Sequence, residues 1–237
     1  MSYKLKKKLT KINYTPMSSK KNSYIVLHYT GNHTDTAAGN ANYFYTQNRG
    51  ASAHYFVDGE EVYRVVRDKD AAWSVGKNYG DASKNLFLTV KNHNSINIEM
   101  CSSNGKITKD TFENSIRLTK KLMKKYNIPA SHVVRHFDVC SKACPGWKGW
   151  GTSKSSNDAS IWNDFLTRIQ IQKPASAIKP TSKEKYIKWL QYKLGMDISG
   201  KWDAALEKAV ISYKRKNGLA GTNGKICGLK MIQLLTR

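Results

Sequence analysis

Apolar and polar positions along this chain alternate with two different periods, and the changes between them mark its elements. Residues 24–30, YIVLHYT, form an almost continuous apolar run closed by Thr30-Gly31, which predicts a buried strand with His28 near its C-terminal end. At 95–101, Ile96, Ile98 and Met100 alternate with Ser95, Asn97 and Glu99, the pattern of a half-buried strand. Short runs at 52–57 and 61–66 flank Asp58-Gly59, a hairpin signal. Residues 132–137, rich in Val and aromatic side chains, predict another strand. Ala37, Ala38, Ala41, Phe44 and Tyr45 recur at roughly helical spacing and predict a helix over about 34–48. A second helix, 111–126, turns Phe112, Ile116, Leu122, Met123 and Tyr126 inward. Asp110 and Glu113 would form its capping box, and Asn127-Ile-Pro129 ends it. A third covers 161–169, with Trp162, Phe165 and Leu166 inward. Strands interleaved with helices predict an α/β (α+β) fold, a mixed central sheet flanked by helices.

The pattern changes after residue 172. Residues 170–183, QIQKPASAIKPTSK, carry two prolines and small polar side chains and read as a semi-extended linker, its core being 173–183. Three helices follow, at 186–194, 203–217 and 229–235, separated by glycines. The expected organisation is a main domain at 1–172 and a small all-α three-helix domain at 184–237, near the lower size limit for an independent core.

Charge narrows the partners. The 237 residues carry 40 Lys+Arg against 17 Asp+Glu, a formal net charge of +23. Such an excess points to a polyanion. Nucleic acid is the usual first partner for such a charge, and a Gram-positive wall with phosphate-bearing teichoic acids is electrostatically as good; lysine dominates over arginine and no nucleic-acid recognition motif is present, which counts against nucleic acid. The first 21 residues hold seven lysines and no acid, and read as a poorly ordered basic lead. They lack the apolar core of a signal peptide, and no run approaches the ~18 apolar residues of a membrane span. The expectation is a soluble product made in the cytoplasm; if its substrate is the wall, something else must release it.

Candidate chemistry gathers at 135–147, RHFDVCSKACPGW. His136 and Cys144, which precedes the turn signal Pro145-Gly146, are suitable zinc ligands, since zinc takes imidazole nitrogen and thiolate sulfur. His28 is the candidate third ligand, and three protein ligands with a fourth position open is the catalytic pattern. Cys140 is the remaining thiol nearby; a Cys140–Cys144 disulfide would remove a ligand, and Cys140 as fourth ligand would make the site structural.

With His28 in its apolar strand, SAHYFVD at 52–58, NSINIEM at 94–100, RHFDV at 135–139 and KACPGW at 142–147, residues 20–170 resemble the zinc-dependent N-acetylmuramoyl-L-alanine amidases, relatives of phage amidases and peptidoglycan recognition proteins. The resemblance implies one zinc held by His28, His136 and Cys144, and cleavage of the bond joining the lactyl group of muramic acid to L-alanine. One branch of that family places a tyrosine where this chain has Ala53; another uses a glutamate on a central strand, which implies Glu99 as general base. Lys142 matches the family's lysine near the metal and is the expected oxyanion stabiliser. His54 and Asn97 are expected to line the cleft, with Trp73, Tyr29 and Trp147 along the glycan–peptide groove. Residues 184–237 resemble the three-helix peptidoglycan-binding domain found beside wall hydrolases. The expected role is that of a phage or prophage lysis enzyme; the competing reading is a non-catalytic wall-recognition protein on the same fold.

Overall fold

The computed structural model describes residues 3–153, 157–221 and 223–236. The chain divides into two compact units, 1–169 and 170–237.

The first unit is built on one six-stranded sheet. Its strands are β1 (Lys4–Lys7), β2 (Tyr24–Tyr29), β3 (Tyr55–Val57), β4 (Glu61–Arg64), β5 (Ser95–Met100) and β6 (Val133–Arg135), in the order β1-β4-β3-β5-β2-β6. Only β3 and β4, the predicted hairpin, run antiparallel. β1 was not foreseen. The lead expected to be poorly ordered pairs along β4, Lys4 opposite Glu61 through Lys7 opposite Arg64. All four of its residues are exposed, so no burial pattern could announce it. An edge strand with three lysines in four residues is also protected against pairing with other chains.

The helices of this unit are α1 (Ala37–Thr46), α2 (Lys109–Tyr126), the short α3 (His136–Cys140) and α4 (Ser160–Gln170). On one sheet face Ile25, Leu27, Ile96, Ile98 and Met100 meet Phe112, Ile116 and Leu122 of α2 and Trp162 and Phe165 of α4, with Trp150 fully buried among them. Fully burying one such side chain stabilises the fold by about 1.5–3 kcal/mol. α2 starts two residues earlier than the capping box suggested: the Thr108 hydroxyl accepts from the Thr111 N–H, and Glu113 instead pairs with Arg168 of α4. Asn127 ends the helix in the left-handed conformation, as Asn tolerates. α1 lies on the opposite face, where Ala37 and Ala41 pack with Phe56 and Val65. Beyond α1 this face is the one that carries the chemistry.

In the second unit, α5 (Glu184–Lys193), α6 (Ala204–Lys216) and α7 (Leu229–Leu234) enclose Ile187, Leu190, Leu206, Val210, Met231 and Ile232. The stretch read as a linker is partly built into this core. Ile178 is fully buried there and exchanges backbone hydrogen bonds of 3.0 and 2.9 Å with Cys227. Gln191 braces the α5–α6 loop: its amide donates to Ser199 Oγ and Lys201 O, and its Oε1 accepts from the Gly200 N–H.

Candidate active site

Strand alternation sets the site. His28 and Val26 of β2 share a face, and the parallel register puts His28 beside Glu99 and Val26 beside Asn97 on β5. On the other neighbour of β2, Val26 lies opposite Val134 of β6. The sequence reading had β6 running to Phe137 with a half-buried β5. In the structure β6 stops at Arg135 and β5 is covered on both faces, Ser95 and Asn97 being fully buried.

The change from strand to helix at His136 has a local cause. The Arg135 N–H donates to Asp138 Oδ2 at 2.8 Å, closing the first turn of α3. The Arg135 guanidinium grips the same carboxylate at 2.5–3.0 Å and reaches the carbonyls of Trp150 and Gly151. This clamp swings His136 out of the sheet and over His28. Ser141, at φ 62°, ends α3, and the Phe137 N–H donates to the Cys144 carbonyl at 2.9 Å, folding the loop back. The Cys144–Pro145 peptide is cis. Gly146 leaves the room occupied by the Tyr29 ring: a Cβ there would stand 2.3 Å from the Tyr29 hydroxyl oxygen.

The result is a buried trio. His28 Nδ1 and His136 Nδ1 are 3.0 Å apart, and with Cys144 Sγ all three donor atoms lie within 4.8 Å of one another. Among the described residues this is the one group of three such side chains close enough to hold a metal ion. The hydrogen bonds behind it fit that use. Ser95 Oγ donates to the Lys91 carbonyl, so it accepts from Asn97 Nδ2, which turns Asn97 Oδ1 towards His28 Nε2 at 3.0 Å. The His28 proton therefore sits on Nε2 and the lone pair of Nδ1 points into the trio. Burial pushes the His28 pKa down to about 4, Lys142 adding to the effect and the Asn97 bond opposing it. Burial, with His28 and Lys142, holds His136 at about 2. Neutral imidazole is the form that binds metals. Cys144 Sγ accepts from the Tyr29 N–H at 3.4 Å, while burial pushes the metal-free thiol up. All four cysteines are free, so no disulfide removes the ligand.

Glu99 stands at the rim. Its Oε1 is 3.9 Å from His28 Nδ1, its Oε2 is buried with no hydrogen-bond partner, and its side chain is 20 % exposed. Burial raises its pKa to about 8, against the pull of Lys142 and helped by Asp35. It opens into a groove of about 710 Å³ floored by Phe56 and walled by α1 through Asn40, Tyr43 and Phe44. A second cleft, of about 300 Å³, lies on the His136 side between Lys142, Trp73, Lys77 and Tyr79. Lys142 is exposed there, and the Trp73 indole donates to Thr15 Oγ1 at 2.8 Å.

The other expected groove residues are placed differently. Tyr29 packs edge-on against Trp147, ring centroids 5.2 Å apart, and Trp147 leans on the main core, so these rings support the ligand loop. Asn97 and His54 are both fully buried and cannot line an open cleft. Asn97 orients His28. His54, just ahead of β3, lies alongside β5: its N–H donates to the Asn97 carbonyl at 3.1 Å and its Nδ1 accepts from the Asn97 N–H at 3.0 Å. Sequence reasoning missed the Arg135–Asp138 clamp. Its signal was an acidic side chain three residues after the last strand residue, the spacing of a helix cap.

The family model for N-acetylmuramoyl-L-alanine amidases (Amidase_2) matches residues 18–147, which contain every residue of the trio and Glu99. The chain is 26 % identical over 251 residues to the N-acetylmuramoyl-L-alanine amidase CwlL of Bacillus licheniformis, covering 85 % of this chain and 69 % of that protein. A probable N-acetylmuramoyl-L-alanine amidase of the same organism is 33 % identical over 129 residues; the match takes in 51 % of this chain and 35 % of that one. Among solved structures, a mutant endolysin from Bacillus subtilis superposes with a TM-score of 0.56 at 26 % identity, covering 70 % of this chain and 99 % of the other. With the family model spanning more than half of its 237 residues, the chain belongs to the N-acetylmuramoyl-L-alanine amidase family and is an enzyme of that activity.

Proposed function

We propose that the chain is a zinc-dependent lysis enzyme that cuts the lactyl–L-alanine amide of a Gram-positive wall. The observation that carries this reading is the unpartnered Glu99 carboxylate oxygen beside a buried His2Cys donor set at the mouth of a groove. His28, His136 and Cys144 would hold one zinc; two neutral imidazoles and a thiolate suit zinc better than the oxygen-loving cations. Bound zinc supplies Lewis acidity to the attacked amide and to the attacking water.

The remaining work falls to the chain. Glu99 accepts the water proton at its free oxygen and returns it to the leaving amine. Lys142 donates to the oxygen that gains charge. Trp73 flanks the glycan–peptide strand on the Lys142 side, whereas Tyr29 holds the ligand loop and Asn97 and His54 serve from behind. The two open clefts on either side of the ligands give the substrate two arms to fill, one for peptide and one for glycan.

Residues 184–237 are proposed to bind peptidoglycan and, through 12 Lys+Arg against 4 Asp+Glu in residues 182–237, anionic teichoic acids. The amidase would be made in the host cytoplasm and reach the wall on release. No helix among the described residues is long and apolar enough to cross a membrane. The test is a measurement of zinc content together with the release of new L-alanine amino termini from purified walls. One zinc per chain and chelator-sensitive release support the reading; full release from metal-stripped protein overturns it.

A further inference from the structure

Lys20 lies just ahead of β2, and its Nζ reaches three atoms from three separate parts of the chain. It lies 2.9 Å from the Asp70 carbonyl, 2.8 Å from the Ser95 carbonyl and 2.9 Å from His54 Nε2. The two carbonyls can only accept, so they take two Nζ protons. His54 decides the third contact. Its Nδ1 already accepts from the Asn97 N–H, so in the neutral ring the proton is on Nε2. That N–H faces the Asp70 carbonyl at 3.1 Å and the Lys20 nitrogen at 2.9 Å. An ammonium would set a third N–H against it. A neutral amine has two donors and one lone pair, the complement this position calls for.

We infer that Lys20 is a positioning residue which, as a neutral amine, closes a column Lys20–His54–Asn97–His28 and so fixes the ring of the first metal ligand. The inference rests on the zinc reading for its last link only. The column runs through the β5 backbone: His54 holds the Asn97 N–H, Lys20 holds the Ser95 carbonyl, and the Asn97 side chain between them sets the His28 tautomer. Partners behind a metal-bound histidine typically contribute 10- to 100-fold to metal affinity.

The surroundings agree. Burial pushes the Lys20 pKa down to about 8, with Asp68 and Asp70 opposing. Both carboxylates are engaged elsewhere: Asp70 by Arg67 and the Met17 N–H, Asp68 by Tyr55, Tyr126, Lys125 and Arg64. Burial also holds His54 neutral, its pKa near 3, against the bond to the Asp70 carbonyl and the charge of Asp68, and any ammonium on Lys20 would push it lower still. Because the folded protein gives up the Lys20 proton near pH 8 and the unfolded chain keeps it to about 10.5, the unfolded state binds more protons across that window. Stability from this group therefore rises as pH climbs through it.

The test uses the full-length protein with Lys20→Met, and with Lys21→Met at the exposed neighbouring lysine as control. Zinc affinity is measured by competition with a chelator, and the metal-free proteins are unfolded in denaturant from pH 7.5 to 10. Lys20→Met should bind zinc about 10- to 100-fold more weakly, and its stability should fall further below that of the wild type as pH climbs from 7.5 to 10, while Lys21→Met follows the wild type in both. Wild-type zinc affinity together with a stability difference from the wild type that does not change with pH in Lys20→Met overturns the inference. Nitrogen-15 NMR of the wild type decides independently of how the variant folds. The column requires His54 with a protonated Nε2 and a bare Nδ1, and a Lys20 amine neutral at pH 9.5; a Lys20 still an ammonium there contradicts it. A wild type that binds no zinc would defeat the metal reading instead, and the NMR result would still stand for or against the column.

Discussion

β5 has two faces that share one backbone and do opposite things. Ile96, Ile98 and Met100 are fully buried in the main core. Ser95, Asn97 and Glu99, one residue out of step, carry a chain of hydrogen bonds that ends at the back of His28 and, at Glu99, an oxygen with no partner at all. A buried polar atom left without a partner costs about 1–3 kcal/mol. The apolar face supplies the stability that lets the polar face keep such a group. The difference teaches where to look: on the first face a substitution changes how much protein is folded, and on the second what the folded protein does.

The sharpest way to break this division is Cys144→Ala. It removes one of three donors, and wall hydrolysis should fall to background with metal content, while the main core, whose contacts it leaves alone, still melts cooperatively. Activity surviving with metal removed would end the assignment. Lys142→Met comes next on the polar side. Loss of one donor to a developing oxyanion costs about 10^2- to 10^3-fold in kcat, with zinc retained, and steady-state assays on solubilised wall fragments check it. On the apolar face, Ile98→Ala should cost about 2–5 kcal/mol in denaturant unfolding and leave activity per folded molecule unchanged. A specific loss of kcat there would show that the faces are not separable.

A smaller effect sharpens the comparison at an exception, the polar hub Asp68 beside Tyr55. Burial raises the Asp68 pKa, but the hydrogen bonds of Lys125, Tyr126 and Tyr55 and the charge of Arg64 outweigh it and hold the group at about 2. The folded pKa is below the unfolded value of 3.8, so the stability is present above about pH 4 and is lost as pH falls towards 2. Asp68→Asn should flatten that part of the acid unfolding curve without altering zinc content. In the second unit the expected change is the least. Removing residues 174–237 should leave the amidase folded and weaken wall binding several-fold, an effect that shrinks as salt shortens the Debye length from about 8 Å towards about 3 Å.

How far the sequence could be read follows the same faces. β5 and α2 were legible because burial imposes a period on them and β2 because burial on both faces makes it an apolar run, while His28 and Glu99 stood out as polar types inside such strands and His136 and Cys144 as ligand types at a strand end and a turn. β1 was illegible because an exposed edge strand, KLKK, has no period to display. The strand end at Arg135 was missed because a side-chain clamp to Asp138 overrides the β preference of the residues around it. His54 and Asn97 were assigned to the cleft since motif spacing locates a residue along the chain but not its depth below the surface. Lys20 could not be found at all: its partners are 34, 50 and 75 residues away, and only the folded sheet brings them to one nitrogen.

The central claim is that Glu99 acts on the reaction and not on the metal or the fold. The direct test is Glu99→Gln, measured for zinc per chain and for wall-lysis rate on the same preparation. The account predicts zinc near one per chain and a kcat lower by about 10^2- to 10^4-fold, the usual contribution of a general base. Zinc and kcat both at wild-type levels, or both lost together, would contradict it.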